Sequence, residues 1–224
     1  MDKTLAWLWL ADAVGSGCQY AQELLTLYPD PAELYDALRA GTEAPPACLT
    51  PHALAQLRDT TPFDYEERLD HCLLSGIDVL TPDEGVYPDR LRDLPDLPLA
   101  LYVTGDIACL NGRRYAGMVG TRRPSTYGRQ AAFDLSLAMA RAGVVLVSGL
   151  ADGLDSEAHR AAVQADVPTV AFLGTASTGR LSRSAWPTVF SVPLRVRASA
   201  TQSASLCAAM SRLRARKVPV VRPL

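Results

Sequence analysis

No acidic residue follows Asp166 in this 224-residue sequence. Residues 1–166 hold all 24 Asp and Glu residues and 13 of the 22 Lys and Arg residues, which gives them a formal charge of −11. The remaining 58 residues hold nine basic residues and therefore carry +9. Folded domains of ordinary composition carry both signs of charge throughout. The composition therefore changes towards the end of the chain, near residue 175.

The sequence also lacks paired cysteines and a long apolar run. Its five cysteines are far apart and form no Cys-x-x-Cys pair: Cys18, Cys48, Cys72, Cys109 and Cys207. This spacing argues against a disulfide framework or a zinc site and fits a reducing cytoplasm. The apolar run Leu5–Val14 contains Asp12, is too short to span a bilayer and has no basic leader before it. We expect a soluble, cytoplasmic protein with no membrane partner, no metal and no cofactor.

Short helical segments fill the first 60 residues. Apolar residues recur at helical spacing from Leu5, and a second helix is predicted over Ala21–Leu27. Asp30-Pro31 has the N-cap and first-position residues of a third helix, and Thr50-Pro51 has those of a fourth. Residues 1–60 are therefore predicted to form a small helical domain, similar to SAM or helix-hairpin-helix modules.

Strands and helices alternate in the next part of the chain. Strands are predicted at Ile77–Leu80, Ala100–Val103, Tyr115–Val119, Val144–Val147 and Val167–Leu173, and the last three are separated by helices at Ser125–Ala142 and Leu154–Ala165. The order β-α-β-α-β implies a parallel sheet with right-handed crossovers. The predicted fold class is α/β, with an extended Rossmann-like domain over residues 61–175 after the helical domain.

The loop between the strand at Tyr115–Val119 and the following helix has features of an anion site. Gly120 lets a ligand approach the backbone, and Ser125 can cap a helix whose free N–H groups favour phosphate. Arg122 adds a planar fork of donors. The alternative is an ordinary capped helix with exposed arginines. The residues of this loop that we assign to the site are Gly120, Thr121, Arg122, Ser125, Tyr127 and Gly128.

A second loop follows the strand at Val144–Val147 and also leads into a helix. It adds five residues to the predicted site: Ser148, Gly149, Gly153, Asp155 and His159. Both loops should emerge at the carboxyl edge of the sheet, where ligands bind in such folds. Asp155 fits an acid stabilised by the helix dipole better than a catalytic group. His159 has no second metal ligand four residues on, so it should be packed or hydrogen-bonded within the site, and Asp152 is interpreted as a solvated loop acid.

The ordered set of motifs resembles the DprA/Smf family of DNA-processing proteins. The matching residues are Tyr87-Pro88, Gly105-Asp106, Val119-Gly120-Thr121-Arg122, Ser148-Gly149-Leu150-Ala151, Gly153-Leu154-Asp155 and Ala158-His159, within residues 5–175. The resemblance implies a non-enzymatic, homodimeric protein with a basic pocket for single-stranded DNA. It also implies that the protein protects incoming DNA in natural transformation and loads the recombinase RecA. Arg122 matches the family's pocket arginine.

The sequence departs from the family in three respects, one of which is that the remaining residues offer no obvious platform for base-edge or aromatic-stacking contacts. Asp152 stands where the family often has a basic residue, which should lower the affinity for a polyanion. After Gly174 the family's Tyr-Pro, Ser-Glu and Arg-Asn-Arg segments are missing. Residues 176–224 are therefore interpreted as a disordered or out-of-frame tail, in a protein that truncation could have inactivated. Codons for Leu181-Ser182-Arg183 exist that encode Tyr-Pro when read one base later. Loss of the later strands would leave Val167–Leu173 without a neighbour.

Two other classes of protein with a Rossmann-like core are alternatives to a DNA-binding protein. A nucleotide hydrolase similar to the lysine-decarboxylase-like group should carry a Pro-Gly-Gly-x-Gly-Thr loop followed by a glutamate, and this sequence has no such loop. A nucleotide-sensing module without catalysis is the third hypothesis. Comparing nucleotide with oligonucleotide binding at fixed salt separates these from a DNA-binding protein.

Overall fold

The computed structural model describes residues 2–15, 18–41 and 44–173 and the backbone of 188–192. These residues form two compact units, of which the first ends at Tyr102 and the second begins at Val103. The first unit (residues 2–102) extends beyond residue 60, where the sequence suggested a domain boundary, because Tyr65 and Cys72 pack into the same core as the N-terminal helices. The rest of the predicted tail lies outside the described residues.

The first unit is mainly helical. Its elements are α1 (Lys3–Val14), α2 (Ala21–Leu27), α3 (Pro31–Ala40), α4 (Pro51–Asp59), a 3-10 turn (Pro62–Tyr65), α5 (Glu66–Leu74), β1 (Asp78–Leu80) and α6 (Asp89–Arg92), and β2 (Leu101–Thr104) lies at the border between the units. The caps predicted for α3 and α4 are confirmed. Asp30 Oδ1 accepts from the Ala32 amide at 2.9 Å, and Thr50 Oγ1 accepts from the Ala53 amide at 3.1 Å.

Helix α1 is the centre of the first unit's core. Every residue from Leu5 to Ala11 is buried, so the helix is covered on all sides. Trp9 packs edge-on against Tyr35 of α3, with ring centroids 5.3 Å apart, and its indole N–H donates to the Thr60 carbonyl oxygen at 3.2 Å. The other short helices are thus arranged around one apolar helix.

A carboxylate interrupts this apolar helix at Asp12. Its Oδ2 accepts hydrogen bonds from Gln56 Nε2 and the Tyr65 hydroxyl, both at 2.9 Å. Arg68 lies 3.6 Å from the other carboxylate oxygen. Burial, and next the negative charge of Asp12, raise the pKa of the Tyr65 hydroxyl, which therefore stays a proton donor. Gln56, Tyr65 and Arg68 thus surround the Asp12 carboxylate with donors and positive charge.

The second unit (residues 103–173 and 188–192) is the α/β part. It contains a 3-10 turn (Ile107–Leu110), β3 (Arg114–Gly117), α7 (Thr126–Arg141), β4 (Val144–Ser148), α8 (Leu154–Gln164), β5 (Thr169–Leu173) and β6 (Thr188–Val192). Strands β3 and β4 are parallel, with Tyr115 opposite Val145, and β4 and β5 are parallel, with Leu146 opposite Thr169. The predicted α/β class and parallel strand pairing are confirmed.

Strand β6 is a correction to the sequence analysis. It lies in the segment that was predicted to lack regular structure, and it pairs antiparallel with β5, with Ala171 opposite Phe190. The prediction that the strand ending at Leu173 has no neighbour on that side is therefore wrong. The strand order in this unit is β6-β5-β4-β3, so the sheet is mixed rather than wholly parallel.

Small side chains hold the two long helices of this unit close to the sheet. Ala140 of α7, Ala158 and Ala162 of α8, and Leu146 of β4 form one buried cluster. Because alanine lets helix backbones approach closely, α7 and α8 pack on each other and on β4. Within the ranges described, no helix is both long and apolar enough to cross a membrane.

Candidate nucleic-acid interface

Two loops meet at the carboxyl edge of the second unit's sheet. The first loop (residues 118–125) follows β3, and the second loop (residues 149–153) follows β4. Because β3 and β4 are parallel neighbours, their loops emerge at the same edge. The Leu154 amide at the start of α8 donates to the Thr121 carbonyl oxygen at 3.2 Å. The juxtaposition expected from the sequence is therefore present in the structure.

Glycines make this approach possible. Gly153 has a φ of +96°, and a Cβ there would overlap the Thr121 carbonyl oxygen and lie 2.7 Å from Arg122 Cα. A Cβ on Gly120 would likewise overlap the Leu154 side chain. Gly153 therefore requires a residue with no side chain, whereas the atom that Gly120 would overlap is the flexible end of the Leu154 side chain. The contact between the loops thus depends on Gly153.

The Asp155 side chain forms hydrogen bonds to the backbone of the second loop. It is buried, and Oδ2 accepts from the amides of Gly149 at 3.2 Å and Ala151 at 3.4 Å. Between them Leu150 has a φ of +55°, which is uncommon for a residue with a side chain. The acid lies in the first turn of α8, as predicted. The structure gives it a definite partner in the backbone of the second loop, which it fixes in shape.

His159 is a buried support, one turn further along α8. Its Nδ1 lies 2.9 Å from Thr169 Oγ1, and the Thr169 hydroxyl donates to the Leu146 carbonyl oxygen at 2.8 Å. The Thr169 oxygen must therefore accept a hydrogen bond from Nδ1–H of His159. Burial lowers the pKa of His159 to about 4, although Asp155 acts in the opposite direction. The ring is thus neutral at pH 7 and ties α8 to β4 and β5.

The predicted site residues therefore fall into two groups. Ser148, Gly153, Asp155 and His159 are buried, and the Ser148 hydroxyl donates to the Met118 carbonyl oxygen at 2.6 Å. Those at or near the surface are Gly120, Thr121, Arg122, Ser125, Tyr127, Gly128 and Gly149. The buried group shapes the loops, and the exposed group is the part that a polymer can reach.

The exposed side of the first loop carries positive charge. Arg122 is exposed, and so is its neighbour Arg123, which was not among the predicted site residues. Thr121 Oγ1 accepts from the Arg123 amide at 3.1 Å, and Ser125 Oγ accepts from the Gly128 amide at 3.1 Å, which confirms the predicted cap of α7. Two exposed arginines thus lie on the loop that leads into the N-terminus of a 16-residue helix.

An ion-pair cluster between α7 and α8 was missed in the sequence. The Glu157 carboxylate is buried and lies 3.3 Å from Arg129 Nη1 of α7 and 2.5 Å from Arg160 Nη2 of its own helix. Arg160 also lies over the ring of Phe133, 4.6 Å from its centroid. The spacing of Glu157 and Arg160 is a local signal, but the link to α7 could not be predicted from it.

No group of His, Cys, Asp and Glu within the part of the chain that the structure describes could hold a metal ion. The site consists instead of backbone amides, two glycine contacts, two exposed arginines and an exposed tyrosine. A pair of loops at the carboxyl edge of parallel strands, each leading into a helix, defines a Rossmann-like domain suited to an anionic ligand.

Residues 78–185 match the family model for DNA recombination-mediator protein A. Over that stretch, which is just under half of the chain, the sequence is similar to the DprA/Smf family. The match extends to residue 185 and so continues beyond Gly174, where the sequence analysis placed the end of the resemblance.

Curated relatives and a solved structure agree with this family. DNA processing protein DprA of Bacillus subtilis is 38% identical over 95 residues, which are 42% of this chain and 32% of the relative. The putative DNA processing protein DprA of Mycobacterium tuberculosis H37Rv is 31% identical over 75% of this chain and 45% of its own. The chain thus spans 32% and 45% of these two relatives' length. The crystal structure of Streptococcus pneumoniae DprA matches with a TM-score of 0.58 and 17% identity, over 84% of this chain and 67% of that one, which shows the fold.

Proposed function

We propose that this chain binds single-stranded DNA at the exposed side of its first loop and acts as a recombination mediator in natural transformation. The observation that best supports the proposal is the position of Arg122 and Arg123 beside the N-terminus of α7, on a loop that Gly153 holds in place. The family description, a DNA recombination-mediator protein, agrees with that chemistry.

The contacts we propose are mainly to the DNA backbone. Arg122 presents planar donors for a phosphate, and hydrogen bonds to a charged group are the stronger ones. The free amides at the start of α7 add donors of the same kind. Tyr127 is 82% exposed and offers its ring for base stacking. Such contacts read any sequence alike, as single-strand binding requires.

Within residues 103–173, local arrangement rather than net charge must supply the affinity. Residues 103–173 hold seven basic and six acidic residues, which leaves a net charge of only +1. Asp152 of the second loop is exposed and repels phosphate. We therefore propose a weaker, strongly salt-dependent site in which the arginines of the first loop carry most of the attraction.

Delivery of the DNA to RecA, homodimerisation and the absence of catalysis are further parts of the proposal. They rest on the family resemblance, since this chain covers under half of the curated relatives quoted above. A direct test is to coat single-stranded DNA with single-strand-binding protein and ask whether the chain restores the DNA-dependent ATPase of RecA.

The site itself is tested with a labelled oligo-dT by fluorescence anisotropy at several salt concentrations. Arg122→Ala should weaken binding by about 1–3 kcal/mol for all sequences alike. The matched control is Arg141→Ala, which removes the same charge from the far end of α7. Equal affinities for Arg122→Ala and the wild type would exclude this role for Arg122. Displacement of oligo-dT by ATP or AMP at lower concentration than by a second oligonucleotide would favour the nucleotide hypotheses.

A further inference from the structure

The outer side of α5 carries exposed acids and exposed leucines together. We call this surface the α5 face; it consists of Glu66, Glu67, Asp70, Leu73 and Leu74, all of which are exposed. At 100° per residue these five positions fall within about 120° of one another around the helix. On the inner side Cys72 is buried in the core of the first unit and Leu69 packs against it. The helix is thus anchored along one side and open along the other.

The apolar part of this surface is unusually exposed. Leu73 is 64% exposed and Leu74 is 90% exposed, and Phe63 of the preceding 3-10 turn is 57% exposed. Single apolar side chains on a surface need no explanation, but neighbouring ones rimmed by charge are typical of an interaction site. Two adjacent solvent-exposed leucines at the end of one helix therefore indicate a surface that binds a partner.

The charge of the surface restricts what that occupant can be. Residues 1–102 hold eighteen acidic and six basic residues. The one cation of α5 itself, Arg68, is mostly buried, where it lies 3.6 Å from Asp12 and over the ring of Tyr65. The α5 face therefore presents three carboxylates, which repel nucleic acid and anionic lipid and attract a basic partner.

We propose that the α5 face is a docking surface for a basic amphipathic segment of another protein. Lysine or arginine side chains of that segment pair with Glu66, Glu67 and Asp70, and its apolar side chains cover Leu73 and Leu74. Recognition of an amphipathic helix by a complementary surface follows this pattern of charge and apolar contact. The inference does not depend on DNA binding, because the first loop lies in the other unit.

The test uses the full chain and a fluorescein-labelled Leu-Lys peptide with leucines at helical spacing, about fourteen residues or four turns long. A Leu-Glu peptide of the same pattern is the control ligand. Glu67→Lys/Asp70→Lys should lower the affinity for the Leu-Lys peptide about tenfold or more. Glu33→Lys/Asp36→Lys makes the same charge change at the same spacing on the exposed side of α3, and should lower it less than about twofold.

The apolar contact is tested separately. Leu74→Ser should lower the affinity about threefold or more, whereas Leu27→Ser, at a 55% exposed position of α2, should not. Circular dichroism shows whether the charge-reversal variant is folded. If it is not, Leu74→Ser still tests the proposal, because Leu74 is almost wholly exposed and its replacement should not unfold the chain.

Three results would overturn the proposal. Equal losses in the two double variants would mean general charge attraction, and equal binding of the Leu-Glu peptide would mean non-specific apolar contact. If sedimentation shows that the chain alone self-associates and that Leu74→Ser abolishes this, the α5 face is an interface between two copies.

Discussion

Gly153 and Arg122 lie so close together that a Cβ on the glycine would be 2.7 Å from the arginine's Cα. The arginine proposed to bind phosphate is thus positioned by the backbone of the neighbouring loop. A change at Gly153 should act on Arg122 without touching its side chain.

Gly153→Ala should therefore reduce affinity for oligo-dT nearly as far as Arg122→Ala does. The φ of +96° strains any side chain, and the overlap with Thr121 pushes the first loop away. Gly143→Ala is the control, since Gly143 also has a positive φ, of +76°, but a Cβ there would meet no atom within 4 Å. The difference in oligo-dT affinity between the two variants, measured by fluorescence anisotropy, gives the effect of the overlap alone. Equal losses would mean that backbone strain, not loop contact, matters.

Asp155→Ala should destabilise the second unit and loosen the second loop. The change leaves the Gly149 and Ala151 amides without their acceptor, which costs about 1 kcal/mol because water can reach these partly exposed groups. Urea unfolding monitored by circular dichroism measures the free energy of unfolding. Asp134→Ala, at an exposed position of α7, is the control and should change it by less than about 0.5 kcal/mol. An unchanged free energy of unfolding in Asp155→Ala would show that the loop keeps its shape without the carboxylate.

Asp152→Lys should strengthen DNA binding. The residue is exposed on the second loop, so the change replaces repulsion of phosphate by attraction without disturbing the core. The logarithm of the binding constant should also fall more steeply with the logarithm of salt concentration, by about one additional phosphate contact. The control is Asp134→Lys, which makes the same charge change at an exposed position of α7. If both lysines strengthen binding alike, the second loop has no special role.

His159 should make the second unit less stable in acid. Its pKa is about 4 when folded and about 6.5 in an unfolded chain, so the folded state favours the neutral ring. The resulting stability is complete above pH 6.5 and is lost as the pH falls towards 4, because the unfolded chain then binds the extra proton. Between pH 7 and 4.5 the wild type should lose about 2–3 kcal/mol more than His159→Gln. Denaturant unfolding at the two pH values measures this, and parallel pH profiles would contradict it.

The out-of-frame origin of residues 176–224 remains a prediction, and β6 supplies a test. If the pairing with β5 persists in solution, amides of residues 188–192 should exchange slowly with deuterium. Sequencing the locus around codon 175 in all three frames checks the reading frame directly. An intact frame in close relatives, with slow exchange across residues 180–224, would show that the tail is a folded element.

Local chemistry explains what the sequence could predict. The caps Asp30, Thr50 and Ser125 bond to amides two or three residues away, so short motifs were enough. The parallel pairing of β3 and β4 followed from the alternation of buried strands and helices. In each case the partners are close in the chain, or the order of elements leaves one arrangement.

Contacts between distant residues explain what it could not predict. Strand β6 pairs with β5 across a long connection, and the composition of the tail gave no sign of a strand. The burial of Ser148 and His159 depends on how α8 packs against the sheet, and a short sequence motif does not predict that packing. The sequence therefore identified the residues of the two loops but not which of them a ligand can reach.

The carboxylate of Asp12 gives α1 a single rotational setting. A helix that is apolar on every side can turn about its axis, or slide by one turn, at little cost in buried area. Asp12 removes that freedom, because only one orientation brings its oxygens to both Gln56 and Tyr65. Replacing Asp12 with leucine should therefore leave α1 helical and buried, but with several packing arrangements in place of one.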